Sequence, residues 1–322
     1  MTLPNFLIIG AAKCGTTSLY RYLEQHPEIY MSRNKEPKFF ALEGADLDSF
    51  TGPGDASWLK NQTITDLGNY ETLFEGVKDE KAIGEASTIY LYSPNCPQTI
   101  KHYIPDAKLI VLLRQPIQQA FSMFLHHLRS GFYQEYLAEN EPSYLEQHFA
   151  EDFLKSDELD DTWLYHWHYK QMGAYYSQLK RYLDVFERHQ IKVFLFQDLK
   201  QNPTQLLRET FEFLGVDSDF VPPNLTKKYN AHKDLNQKPK NKAVHQFLMR
   251  PNPVKSLLKP LFPQKLRGKV NFWLRQRNME TTQQPLSVKL SPETRQKLTE
   301  VHREDILKLQ DLIQRDLSHW FN

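Results

Sequence analysis

Gly10-Ala-Ala-Lys13-Cys-Gly15-Thr16-Thr17 places two glycines, a lysine and tandem hydroxyls within one short stretch. Asn5-Phe-Leu-Ile-Ile9 before it reads as a buried strand. Thr16 to Gln25 after it carries Leu19, Tyr20 and Leu23 at helical spacing. A glycine-bearing turn between a strand and a helix offers main-chain N–H groups and the positive helix end to an anion. The spacing superimposes on the phosphate-loop pattern G-x-x-x-x-G-K-[ST] with one change. Thr16 stands where the lysine would be, and Lys13 lies three residues earlier. A helix-start lysine reaches the β and γ phosphates of a triphosphate, so its displacement predicts a different group beyond the first phosphate and disfavours a kinase.

A second strand, Lys108-Leu-Ile-Val-Leu-Leu113, ends in Arg114, where many nucleotide hydrolases of this pattern place an acid that holds Mg²⁺. A cation cannot ligate a metal, so no metal site is expected. Pro116 suits the first turn of a helix reaching about Arg129, with Ser122 on its first two turns. Arg114 and the Ser122 hydroxyl can hold a separate phosphate through charge-assisted hydrogen bonds. Two anion sites at the ends of two parallel strands describe a nucleotide phosphorylated at two places.

The elements that must position these residues follow the same alternation. Weaker strands are expected at Glu28 to Met31, Ala82 to Glu85 and Ile191 to Phe196, and helices at Tyr175 to Arg188, Pro203 to Leu214 and Ser291 to about Leu317. Strands alternating with helices predict an α/β fold, a P-loop-like parallel sheet flanked by helices on both faces. At 322 residues with 40% hydrophobic content the chain can bury a large core, and it is expected to form one domain over 1–322. The longest apolar runs, Phe6 to Ala12 and Leu109 to Leu113, fall far below the ~20 residues of a membrane span. No secretory signal is expected, because an apolar strand begins within a few residues of Met1. With only Cys14 and Cys96, a reducing cytoplasm fits.

A formal net charge of +1 gives no pointer to nucleic acid as a partner. The charges are nonetheless segregated: 132–161 holds ten acids against Lys155, and 227–278 holds fourteen bases against Asp234. Such blocks are commonly solvated surface. The basic excursion, about 224–285, is expected to be irregular with one or two short helices.

Phe6 to Leu19 resembles the 5′-phosphosulfate loop of sulfotransferases that use 3′-phosphoadenosine-5′-phosphosulfate (PAPS), and Val111-Leu-Leu-Arg-Gln-Pro116 with Ser122 resembles their 3′-phosphate motif. Lys35-Glu-Pro-Lys-Phe-Phe40, Gly84-Glu-Ala-Ser87, Gly173-Ala-Tyr-Tyr176 with Gln178-Leu179, and Leu312 to Trp320 are similar to bacterial members and to the heparan sulfate branch. The resemblance spans nearly the whole chain. Three positions depart from it: Cys14, where Ser or Gly is commoner, Gln115, where Asp is usual, and Ala86, where the heparan enzymes carry lysine.

The resemblance implies that Lys13 neutralises the bridging oxygen as sulfate leaves, and that Cys14, Gly15, Thr16, Thr17 and Ser18 bind the 5′ phosphate. It implies that Arg114 and Ser122 take the 3′ phosphate, with adenosine 3′,5′-bisphosphate as the product and no metal. It also implies a general base, and Glu43 is the expected one because it follows the Phe39-Phe40 pair, with Glu85, Glu36 and His26 in reserve. Lys35 is a second candidate cation for the transferring group. The acceptor is expected to be the hydroxyl or nitrogen of a small molecule. The acidic block, about 132–162, would cover it beside the aromatic run Trp163 to Tyr169. An acidic rim concentrates cations and aromatic faces attract them, so a guanidinium alkaloid of the saxitoxin type is one candidate. A carbohydrate or lipid alcohol is the alternative. A nucleotide kinase and a non-catalytic nucleotide-binding protein are the rival functions, and the oligomeric state stays open.

Overall fold

The computed structural model describes residues 2–52, 59, 60, 62–130, 142–225, 235–249, 273, 274, 277–286 and 288–321. Contacts divide the chain into two compact units. The first comprises Met1–Met123, Asp152–Ala231 and Pro292–Asn322, and the second Phe124–Glu151 and His232–Ser291.

In the first unit β1 (Phe6–Gly10) leads into α1 (Thr16–Leu23), and β2 (Ile29–Met31) into the short α2 (Phe39–Leu42) and α3 (Leu67–Glu71). β3 (Ala82–Ala86) leads into α4 (Ile89–Tyr92) and α5 (Cys96–Tyr103), and β4 (Lys108–Leu113) into α6 (Pro116–Ser130). The chain passes to the second unit within α6 at Phe124 and returns within α7 (Pro142–Lys155) at Asp152; after α8 (Tyr169–Met172) and α9 (Tyr175–Leu183), β5 (Ile191–Leu195) leads into α10 (Phe196–Gln201) and α11 (Pro203–Leu214). The five strands form one sheet in the order β2-β3-β1-β4-β5, every pair parallel. Helices flank it, the arrangement expected for continuous apolar strands such as Phe6–Gly10, which is buried at every position. Gly84 on β3 sits opposite Phe6, and a Cβ there would lie 2.1 Å from the Phe6 ring, so only glycine lets this ring fold over the neighbouring strand.

The expected C-terminal helix is two helices, α13 (Pro292–Val301) and α14 (Arg303–Ile313). His302 interrupts them at φ −100°, ψ 4°, its ring buried edge-on against Phe153 at 5.7 Å. The helix stops at Gln314, which is left-handed, short of Leu317. Periodicity continues through the break because both halves bury the same apolar face, which is why the pattern read as one helix.

In the second unit the basic excursion contains α12 (Lys242–Met249), as expected, and also two antiparallel strands, β6 (Leu235–Pro239) and β7 (Met279–Leu286). Leu-Asn-Gln-Lys-Pro and Met-Glu-Thr-Thr-Gln-Gln-Pro-Leu alternate no apolar face, so the period-2 signal that reveals strands is missing. Asn241 and Asn278 brace the turn into α12: Asn278 Nδ2 donates to Asn241 O at 2.9 Å, and Asn241 N to Asn278 Oδ1 at 3.1 Å. Residues 132–141 of the acidic block, and 226–234 with Tyr229 and Asn230, 250–272, 275 and 276 of the basic one, lie outside the described residues.

Candidate active site

β1 ends at Gly10, and α1 opens at Gly15, whose φ of 93° lies in the left-handed region. A Cβ on Gly15 would approach Leu199 Cδ2 to 2.6 Å and the Phe196 ring to 3.1 Å, so the loop rests against α10 by virtue of this glycine. Lys13 is also left-handed, at φ 64°. The loop is held from below by Ala11 N donating to Leu112 O at 2.8 Å and by Gln119 Nε2 donating to Ala12 O at 3.2 Å. Ser18 and Leu19 N–H groups return to Gly15 O, while Thr16 and Thr17 open the helix, where no intrahelical acceptor exists. Cys14 is fully buried, its sulfur 3.4 Å from Ala12 O and 3.8 Å from the Tyr175 hydroxyl. Burial pushes its thiol up to about 12, against the pull of Arg114, Tyr175 and Lys13. The Cys14 thiol therefore stays neutral, and its main-chain N–H turns back to Ala11 O at 3.3 Å.

Arg114, directly after β4, donates from Nη1 to Lys13 O at 3.2 Å and stacks on the Phe196 ring with its guanidinium carbon 4.8 Å from the centroid. Its Nε is buried and, among the described residues, has no hydrogen-bond partner. A buried charged donor left over in this way is a feature that an anion would satisfy. Burial also depresses the guanidinium's pKa, partly offset by Cys14 and Tyr175. Ser122 lies buried on α6. Arg114 lines a cleft of about 290 Å³ together with Phe196, Lys200, Gln118, His319 and Trp320. Phe196 and Lys200 were not singled out from sequence. The signal available for them was position alone, since they follow a parallel strand at its carboxyl end, where ligands of open α/β sheets bind.

The carboxylates separate clearly. Glu43 is exposed after α2 and accepts a hydrogen bond from the Tyr103 hydroxyl. Tyr103 closes α5, the helix before β4, so Glu43 is tied to that helix end and not to the loop after β1. His26 is structural: Nε2 bonds Asp217 O at 2.9 Å, Nδ1 accepts from Glu28 N at 3.0 Å, and the ring packs on Phe211 and Phe220.

Glu36 stands at the carboxyl end of β3, where its N–H donates to Ala86 O at 2.8 Å. β3 pairs with β1 at Ile8 and Ala86, so Glu36 and the phosphate loop share one edge of two adjacent strands. Its carboxylate accepts from Thr88 N at 2.9 Å, Thr88 Oγ1 at 3.1 Å and Lys35 Nζ at 2.7 Å. Thr88 Oγ1 lies 3.0 Å from the hydroxyl of Tyr165, in the buried aromatic run. Burial raises the Glu36 pKa, but Lys35, Lys38 and the Thr88 N–H outweigh it and hold the carboxyl below its ordinary value. Glu85 is wholly buried on β3, accepts from Ser87 Oγ at 3.0 Å and Tyr70 at 3.3 Å, and is pushed up to about 7 by burial. The sequence signal for Glu36 was its place just before the Phe39-Phe40 pair.

Among the described residues no group of three or more His, Cys, Asp or Glu is placed to hold a metal, and no helix is long and apolar enough to cross a membrane.

Residues 3–279 match the sulfotransferase domain family. A sulfotransferase crystal structure from Alicyclobacillus acidocaldarius is 34% identical, with a TM-score of 0.70 and full coverage of both chains. The membrane-associated sulfotransferase kil1 of Dictyostelium discoideum is 24% identical over 77% of this chain and 63% of its own length. The bifunctional heparan sulfate N-deacetylase/N-sulfotransferase 4 of Mus musculus is 28% identical over 66% of this chain and 22% of its own. The chain thus spans under two thirds of these curated relatives. Strand, phosphate loop, second cationic strand end and extended similarity agree, and the chain belongs to the sulfotransferase domain family.

Proposed function

We propose that this chain transfers a sulfuryl group from PAPS to a hydroxyl or nitrogen of an acceptor, leaving adenosine 3′,5′-bisphosphate. The observation that carries the reading is the link between Lys13 and Arg114, which ties two cationic strand ends into one site with an unpaired buried donor. Residues Cys14 to Ser18 bind the 5′ phosphate, chiefly through the main-chain N–H groups of Gly15, Thr16 and Thr17 at the opening of α1, and Arg114 with Ser122 takes the 3′ phosphate. Phe196 and Lys200 add an aromatic face and a second cation to that wall. The donor supplies a sulfur whose bond to the bridging oxygen breaks as a new bond forms to the acceptor oxygen or nitrogen. Lys13 neutralises the charge left on the bridging oxygen. Glu36, rather than Glu43, receives the acceptor proton, supported by its place on the loop's edge of the sheet and by its ionised state.

For the acceptor, a small molecule is our first reading, with a guanidinium alkaloid of the saxitoxin type as its cationic form. A carbohydrate hydroxyl is the alternative, and two observations support it. Asp157 is paired with the Lys170 ammonium, which offsets one charge of any cation-attracting rim. Carbohydrate sulfotransferase 15 of Homo sapiens is also 26% identical over 66% of this chain. The two buried free cysteines support a reducing, cytoplasmic setting. Incubation with PAPS and a panel of cationic, neutral sugar and lipid-alcohol acceptors, read by product mass, tests the reading. A gain of one sulfuryl group on an acceptor supports it. Failure of adenosine 3′,5′-bisphosphate to bind in calorimetry overturns it.

A further inference from the structure

Lys38 has no solvent exposure at all, yet it carries an ammonium group and sits at φ 62°, a conformation costly for any residue but glycine or asparagine. Its Nζ donates to the main-chain carbonyl of Glu36 at 2.9 Å. Glu36 is itself left-handed, at φ 68°, so this bond closes a three-residue loop, Glu36-Pro37-Lys38, around two unusual backbone conformations. On the other side, Lys38 N donates to Ser87 Oγ at 3.0 Å, and Ser87 Oγ donates to Glu85 Oε2 at 3.0 Å. Lys38 is thus a buried cation whose side chain holds the main chain of Glu36 and whose own main chain connects through Ser87 to the Glu85 carboxylate. Lys35, the other cation on Glu36, keeps a fifth of its side chain exposed and is able to swing away.

We propose that Lys38 is a positioning residue for Glu36: its buried ammonium clamps the Glu36 backbone and supplies a fixed positive charge that keeps the carboxylate ionised when Lys35 turns to another anion. The proposal rests on the reading of Glu36 as the base. The groups facing Glu36 are Lys35 and Lys38 on its own loop, Thr88 after β3, and the Tyr165 hydroxyl. Those facing Glu85 are Ser87, Tyr70 on α3 and Tyr90 on α4. Opposite charges lower a carboxyl's pKa and like charges raise it, so Lys38 lowers Glu36 while the ionised Glu36 raises Glu85. Burial and Glu36 pull Lys38 in opposite directions as well, the first prevailing, so its own pKa falls to about 8 and the clamp is strongest below that pH.

The test compares kcat against pH for the wild type, Lys38→Met, Glu85→Gln, the double variant and Glu36→Gln, with folding checked by near-UV circular dichroism. Lys38→Met is expected to lower kcat about tenfold or more, a part of what a general base contributes. KM for PAPS should stay within about twofold, and the acid limb should move up by about one pH unit. Glu85→Gln alone should leave that limb in place, because Glu85 keeps its proton where Glu36 titrates. The double variant leaves no ionisable group at either position, and once folded it is expected to show kcat still reduced. An unmoved acid limb in folded Lys38→Met, or wild-type kcat in the double variant, overturns the role of Lys38 while Glu36 stands. Wild-type kcat in Glu36→Gln overturns the base reading itself.

Discussion

Arg114 reaches from the end of β4 to the carbonyl oxygen of Lys13 in the β1 loop, at 3.2 Å, so the residue expected at one phosphate also fixes the backbone of the residue expected at the other. The two strand ends are mechanically one unit. A change at Arg114 should therefore weaken 3′-phosphate binding first and disturb Lys13 second.

Arg114→Ala is expected to weaken adenosine 3′,5′-bisphosphate by about 1.5 to 3 kcal/mol, the value of a hydrogen bond to a charged group. Adenosine 5′-phosphosulfate, which lacks the 3′ phosphate, should lose much less. Calorimetry with both ligands checks this, and equal losses would mean that Arg114 acts only through the loop.

Lys13→Ala should leave nucleotide binding largely intact and lower kcat by about 10² or more, because its charge matters most as the bridging oxygen becomes negative. Single-turnover rates at saturating PAPS measure it. A wild-type rate removes Lys13 from the chemistry.

Glu36→Gln and Glu43→Gln separate the two carboxylates. The first is expected to cut kcat by about 10² to 10⁴, the second by less than about twofold, since Glu43 faces Tyr103 on the surface. The reverse order would restore Glu43 as the base.

Gly15→Ala places a methyl 2.6 Å from Leu199 on a backbone at φ 93°. The strain is expected to cost about 1 to 3 kcal/mol and to lower Tm by several degrees, as scanning calorimetry would record. An unchanged Tm would show that α10 gives way freely.

Glu85 links stability to pH. Its carboxyl is raised to about 7 in the folded state against an unfolded value of 4.5, so between these values the folded chain holds a proton that the unfolded chain has lost. Stability must then fall as pH rises through that window. Glu85→Gln removes the penalty, so its Tm relative to wild type should rise from pH 5 to pH 8. Parallel Tm curves for the two proteins would sink the assignment.

Local chemistry was legible from the residues themselves. The strand, loop and helix around Lys13 are consecutive, and Arg114 with Ser122 lies on a single strand-helix unit, so spacing alone brought them to the carboxyl ends of parallel strands. Tertiary structure decided what depends on distant partners. Glu36 and Glu43 flank the same Phe39-Phe40 pair, and the difference between them is Thr88, a residue 52 positions away that anchors Glu36, and Tyr103, 60 positions away, that holds Glu43 elsewhere. The buried charge of Lys38 and the cleft wall of Phe196 and Lys200 belong to the same class, because burial is a property of packing between segments. The polar strands β6 and β7 carried no apolar alternation, and the break at His302 left none interrupted, so periodicity had nothing to report in either place. Sequence determines which groups a loop can present; only the folded contacts determine which of two equal carboxylates faces the reacting edge.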